Sequence, residues 1–155
     1  MEGQPLVHMV SDEEAKGRVK ELFEQLKAST GSVPKWMRVM GNCEDILVGF
    51  FSLFKATMDD APLPKLLKWK VAYQVSELNK CEFCVSVSAM QLKTLGLTEE
   101  DIATFGEKLD EREQAAMTYA LASATCAYKI PEETIADARK HYSDEELVEL
   151  ASVVG

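Results

Sequence analysis

The strongest constraint in this 155-residue sequence is a period. Wherever apolar residues recur, they do so three and four positions apart, the spacing of one helical face. No stretch of useful length alternates apolar with polar residues as a half-buried strand would, and the hairpin dipeptides Asn-Gly and Asp-Gly are absent. The expected fold is all-α: a helical bundle forming one domain over residues 1–155, a length that suits about one domain with a core of its own.

Punctuation between the periodic stretches gives the expected helices. Ser11-Asp12-Glu13-Glu14 has the pattern of a capping box and leads into Val19, Leu22, Phe23 and Leu26 at helical spacing. Gly31 and Pro34 break the chain, and Trp36, Met37, Val39 and Met40 form a short apolar turn facing inward. The stretch from about Glu44 to Met58 is apolar on most sides, through Ile46, Leu47, Phe50, Phe51, Leu53 and Phe54, which predicts deep burial or a subunit contact. After the loop Asp59–Pro64 a helix runs to about Leu78. Asn79, with Glu82 three residues on, reads as the cap of the next, which ends at Gly96. Thr98, Asp110, Pro131 and Ser143 each open a further helix.

Charge narrows the function. Lys plus Arg number 17 and Asp plus Glu 26, a formal net charge of −9, so a nucleic-acid partner is not expected. No apolar run reaches the ~18–20 residues of a membrane span, and the N-terminus lacks a signal pattern. The expected setting is soluble and cytoplasmic, where a close cysteine pair points to redox or metal chemistry rather than to stapling.

That pair is Cys81 and Cys84, spaced C-x-x-C. A thiolate is the reactive form of cysteine, and the first turn of a helix stabilises it with free N–H groups and the positive end of the helix dipole. Lys80 adds a cation beside the pair and Glu82 opposes it. In a regular helix, residues i and i+3 place their Cβ atoms about 5–6 Å apart. A disulfide wants roughly 3.5–4.5 Å, so the pair closes only where the backbone adapts, as at a helix start. Two other readings stand beside a redox pair. A zinc site would need Cys43 and Cys126 as well, and neither belongs to a second C-x-x-C. Alternatively, the thiols are buried and inert. Cys43 and Cys126 themselves read as small core residues, and His8 and His141, far from the motif in sequence, as surface residues.

The run VSELNKCEFCVSVSAMQLKTLGLTEEDI resembles the core of the alkylhydroperoxidase D-like, carboxymuconolactone decarboxylase superfamily. The upstream stretch GSVPKWMRVMGNCEDILVGFFSLFKATM resembles its peroxidase-related branch. The likeness extends from Pro5 to about Val154. It implies an all-helical fold of the alkylhydroperoxidase D-like type, usually a homo-oligomer; no metal or other cofactor is expected. It also implies reduction of a peroxide or other small molecule by the cysteine pair, with an external dithiol as reductant. The sequence ends at Val153-Val154-Gly155, where relatives usually continue into another apolar helical stretch, so a short or truncated member is expected.

The same likeness exposes two departures. Where the family carries a His four residues after the second cysteine this chain has Ser88, and where it carries a Glu twelve residues before the first cysteine it has Trp69. Serine can hydrogen-bond a thiolate but takes up no proton near neutral pH, and tryptophan only donates. Glu77, four residues before Cys81, is the candidate replacement base. Were the two helices continuous, residues 77, 81, 84 and 88 would share one face. The expected site is therefore Cys81, Cys84, Glu77 and Ser88, with Cys84 the peroxide-reactive thiol and Cys81 the resolving one. Turnover should be slowed by a relay whose base typically contributes ~10²–10⁴-fold. A binding protein that has lost catalysis, or a decarboxylase-like enzyme, is the alternative.

Overall fold

Each stretch of helical period becomes a helix. A computed structural model describes residues 6–155. The start of the N-terminal segment judged to lack a signal pattern, and with it Pro5, lies outside the described residues. Nine α-helices and two short 3₁₀ turns account for the regular structure there, with no strand among the described residues. No helix of the described residues is long and apolar enough to cross a membrane. The chain divides after Ala56 into two compact units, each with its own core.

The first unit carries α1 (Gly17–Thr30), α2 (Lys35–Met40) and most of α3 (Glu44–Met58). Val19, Leu22, Phe23 and Leu26, the expected stripe of α1, are buried together with Met37 and Leu47. Ser11 and Glu14 exchange the two hydrogen bonds of a capping box, at 2.9 and 3.3 Å, but around an isolated turn. The helix itself starts only at Gly17, because Gly17 has φ +52 and interrupts the chain between the box and the stripe. Deep burial of α3 does not occur within this chain: Leu47 is buried, whereas Ile46, Phe50, Leu53 and Phe54 are exposed.

The second unit is built on α4 (Lys65–Leu78) and α5 (Glu82–Thr94), with α6 (Glu99–Thr104), α7 (Glu111–Cys126), α8 (Glu132–His141) and α9 (Asp144–Val154). Val71, Leu92, Ala116, Ala120 and Leu150 lie at the centre of its core. The expected caps form: Asp110 accepts from the Glu113 N–H at 2.7 Å, and Ser143 with Glu146 makes a complete capping box.

One ion pair fixes α4 in this unit. Lys68, 0% exposed, pairs with Glu149 of α9, 10% exposed, and also donates to the carbonyls of Asp59 and Ala61. Glu149 in turn accepts from the Leu63 N–H at 2.7 Å. A buried charge is tolerated only when its hydrogen-bonding capacity is filled, and three acceptors around one ammonium do that. The result ties the 59–63 loop, α4 and α9 together.

Candidate redox site at the α4–α5 corner

The corner between α4 and α5 is made by backbone hydrogen bonds that close one helix and open the next. At the end of α4 the Lys80 N–H donates to the Glu77 carbonyl and the Cys81 N–H to the Ser76 carbonyl, both at 3.0 Å. These are the two bonds of a Schellman closure, which needs a left-handed residue just past the cap. Lys80 supplies it, with φ +54. Asn79 is thus the C-cap of α4 and not the cap of α5. The side chain of asparagine was the signal for a cap, but the backbone closure of α4 consumes that position, and the start of α5 moves on by two residues.

The cap of α5 is Cys81. Its Sγ accepts the N–H of Cys84 at 3.3 Å, the contact a serine or aspartate oxygen makes at an ordinary helix start. Cys81 and Cys84 are joined in a disulfide, with Cα atoms 5.3 Å apart, and both are half-buried. The extended-side dihedrals of Cys81, φ −90 and ψ 89, place it outside the helix. That is the backbone adaptation by which an i, i+3 pair closes.

The other expected site residues separate. Ser88 lies on α5 one turn beyond Cys84 and is 3% exposed. Glu77 is exposed on the last turn of α4. The continuous helix that would align residues 77, 81, 84 and 88 does not exist, because the chain turns at Asn79 to Cys81. Glu77 instead acts on Tyr73, whose phenol is raised above its ordinary value by burial first and by the Glu77 charge second. Trp69 packs into the core of the second unit, 7% exposed, and its indole N–H has no acceptor among the described residues. Around the disulfide, Leu78 and Phe83 expose apolar side chains.

Neither histidine lies on α4, α5 or the turn between them. In the first unit, His8 Nε2 is 2.9 Å from Glu14. His141 closes α8, where its carbonyl accepts from Arg112. Cys43 and Cys126 carry free thiols, the first exposed and the second half-buried. Exposure of Cys43 departs from the expected core role, because it precedes α3 at the surface turn after Gly41. Among the described residues no three or more His, Cys, Asp or Glu side chains gather as a metal site would require.

The residue that sequence reasoning undervalued is Lys80. It was legible only as a nearby charge; its left-handed backbone needed the closure of α4 to be seen.

No family model matches the chain, and no curated protein matches it. Solved structures do. An uncharacterised peroxidase-related protein from Silicibacter sp. TM1040 superposes with a TM-score of 0.80 at 20% identity, over 99% of this chain and 87% of that one. The debrominase Bmp8 gives 0.82 at 24% identity, over 97% and 83%. A peroxidase-related protein from Ralstonia eutropha JMP134, described as an alkylhydroperoxidase AhpD core, gives 0.79 at 19% identity, over 98% and 85%. The fold is therefore the alkylhydroperoxidase D-like fold, as the resemblance in the sequence implied.

Proposed function

We propose that this protein is a thiol-dependent peroxidase whose Cys81 and Cys84 cycle between dithiol and disulfide. The observation that carries the reading is the position of Cys81: paired with Cys84, half-buried, and with its sulfur accepting a helix-start N–H. An amide N–H aimed at sulfur, together with the dipole of α5, favours the thiolate in the reduced state.

The cycle balances as follows. The thiolate attacks one oxygen of a hydroperoxide, the O–O bond breaks, and the alkoxide leaves and takes up a proton as the alcohol. The attacking cysteine becomes a sulfenic acid. The second cysteine attacks that sulfur, water leaves, and the disulfide forms. An external dithiol then reduces the disulfide by exchange and is itself oxidised. The cap favours Cys81 as the attacking thiolate and Cys84 as the resolving one, the reverse of the order expected from the sequence. Ser88 would supply a hydroxyl on the Cys84 side, and Glu77, off the shared face, would contribute charge alone. Ser88 stands where the resemblance expects a histidine, so turnover should be slow.

The experiment is stopped-flow consumption of hydrogen peroxide and an alkyl hydroperoxide by the reduced protein, with Cys81→Ser and Cys84→Ser beside it. Trapping of a sulfenic acid on Cys81 in the Cys84→Ser variant supports the assigned order, and trapping on Cys84 in the Cys81→Ser variant reverses it. Background consumption by all three proteins removes the peroxidase reading and leaves a binding or decarboxylase-like role.

The likeness to a debrominase supports a second reading with the same sulfurs. A dithiol can also reduce a carbon–bromine bond: two thiols and R–Br give a disulfide, R–H and HBr. Bromide release from 2,3,4-tribromopyrrole, the compound in complex with that debrominase in another solved structure, by the reduced protein, with no peroxide consumption, would favour it.

For assembly, we propose a second copy of this chain as the cover for α3. Ile46, Phe50, Leu53 and Phe54 are exposed there, and Phe50 packs edge-on against Trp36 at 5.4 Å between ring centres. Contiguous exposed apolar groups of this kind mark interfaces. Leu53→Glu should lower the mass seen by light scattering, and an unchanged monomer mass for the unaltered protein would end this reading.

A further inference from the structure

The α4–α5 corner breaks a local rule of backbone chemistry at one residue. Lys80, at φ +54, is the only non-glycine with positive φ among the described residues; the others are Gly17, Gly31 and Gly96. For an L-residue with a Cβ the left-handed region is disfavoured, and the residue normally found there is glycine. A non-glycine held in that conformation next to reactive groups is a pointer to function.

The charges around the corner give that pointer its content. Glu77 precedes the pair by four residues, Glu82 lies between the two cysteines, and both are exposed. The elements packed against α4 and α5 spend their charges elsewhere. Glu113 of α7 pairs with Lys70 and Glu149 of α9 with Lys68, both toward the start or middle of α4. On α6, Glu99 pairs with Lys93 and Asp101 binds Thr98, at the far end of α5, where Glu100 is also exposed. Lys80 forms no ion pair among the described residues, so it is the uncommitted cation at the corner. Without it, a thiolate there would form beside two carboxylates on a chain of net charge −9.

We propose that Lys80 is a positioning residue for the redox pair. Its left-handed backbone closes α4 so that the Cys81 sulfur caps α5, and its ammonium offsets Glu77 and Glu82 so that the Cys81 thiolate forms near neutral pH. This deepens the dithiol–disulfide reading and rests on it.

The test uses the full chain, reduced and then freed of reductant, with alkylation of Cys81 by iodoacetamide followed by peptide mapping across pH. Lys80→Met removes the charge and keeps a side chain in the left-handed position; at neutral pH it should alkylate about threefold more slowly, with the rate profile moved to higher pH. Lys80→Arg should restore the original profile. Lys80→Gly should react as slowly as Lys80→Met and yet melt about 2 °C higher, because the backbone is relieved while the charge is lost. Equal alkylation profiles for Lys80→Met, Lys80→Gly and the unaltered protein overturn the role of Lys80. So does slowing by Lys80→Arg as great as by Lys80→Met. If the unaltered protein alkylates at Cys81 only around the ordinary thiol value of ~8.5 and consumes no peroxide, the underlying redox reading fails instead.

Discussion

The C-terminal ends of α4 and α5, one on each side of α5, are closed by one hydrogen-bond pattern with a different residue in the left-handed place. Past the C-terminus of α5, the Gly96 N–H donates to Lys93 and the Leu97 N–H to Leu92, at 3.0 and 3.1 Å, with Gly96 at φ +98. Before its N-terminus, the end of α4 repeats both bonds with Lys80 in the left-handed place. Among the described residues nothing lies within 4 Å of the position a Cβ would take at Gly96, so glycine there answers the backbone alone. The corner that only turns the chain uses the residue that turns most easily. The corner that carries the sulfurs keeps a charged one, at a conformational cost of about 1–2 kcal/mol for its handedness.

The largest expected effect separates the corners by chemistry. Cys81→Ser and Cys84→Ser should each lose peroxide turnover to the background rate, whereas substitutions near Gly96 that leave the fold intact should retain it. Next comes the anchor of α4. Lys68→Met leaves Glu149 buried without its cation, a loss of about 3–5 kcal/mol read by urea unfolding. Because this strikes both corners together, it should lower stability without preferentially altering the reactivity of Cys81 in the protein that remains folded.

Gly96→Val places a β-branched residue in the left-handed region and should cost about 2 kcal/mol, again by urea unfolding. A smaller, opposite effect is expected of Lys80→Gly: a gain of less than about 1 kcal/mol, since relief of the left-handed lysine is partly cancelled by the freedom glycine gives the unfolded chain. A loss in its place would mean that the two corners are not equivalent in backbone terms.

The smallest effect concerns caps made by oxygen rather than sulfur. Glu14 is held down to about 2, chiefly by the Ser11 N–H and then by His8. Glu146 is held below the usual carboxylate value, chiefly by the Ser143 N–H, with Arg112 assisting. Their folded-state values lie below the unfolded ones. Their stabilisation is therefore complete above the ordinary glutamate value of ~4.3 and is lost as pH falls below it, for Glu14 down toward about 2. Thermal melts should be flat with respect to these groups from pH 7 to 5 and should decline below pH 4. Glu146→Gln should flatten part of that decline.

Much of this architecture was legible in the residues. The bounds Glu44 to Met58 for α3, the end of α4 at Leu78, the Gly96 terminus of α5 and the Ser143 capping box follow from apolar period and local cap chemistry. Where reading failed, two local signals competed for the same residue. Asn79 has a capping side chain, yet the backbone of α4 claims it. Ser11 and Glu14 form a box, yet Gly17 delays the helix that the box should start. Glu77 was placed near the sulfurs only on the assumption of an unbroken helix.

The sequence by itself determined the helical class, the positions of most helix ends and the identity of the sulfur pair, because these depend on interactions within a few residues. Tertiary structure decided what depends on packing: that α3 leaves its large apolar side chains outward, that Lys68 is buried against Glu149, and that Trp69 belongs to the core. It also decided the sign of φ at Lys80, since only the closure of α4 against the start of α5 holds a lysine where a free chain would avoid it.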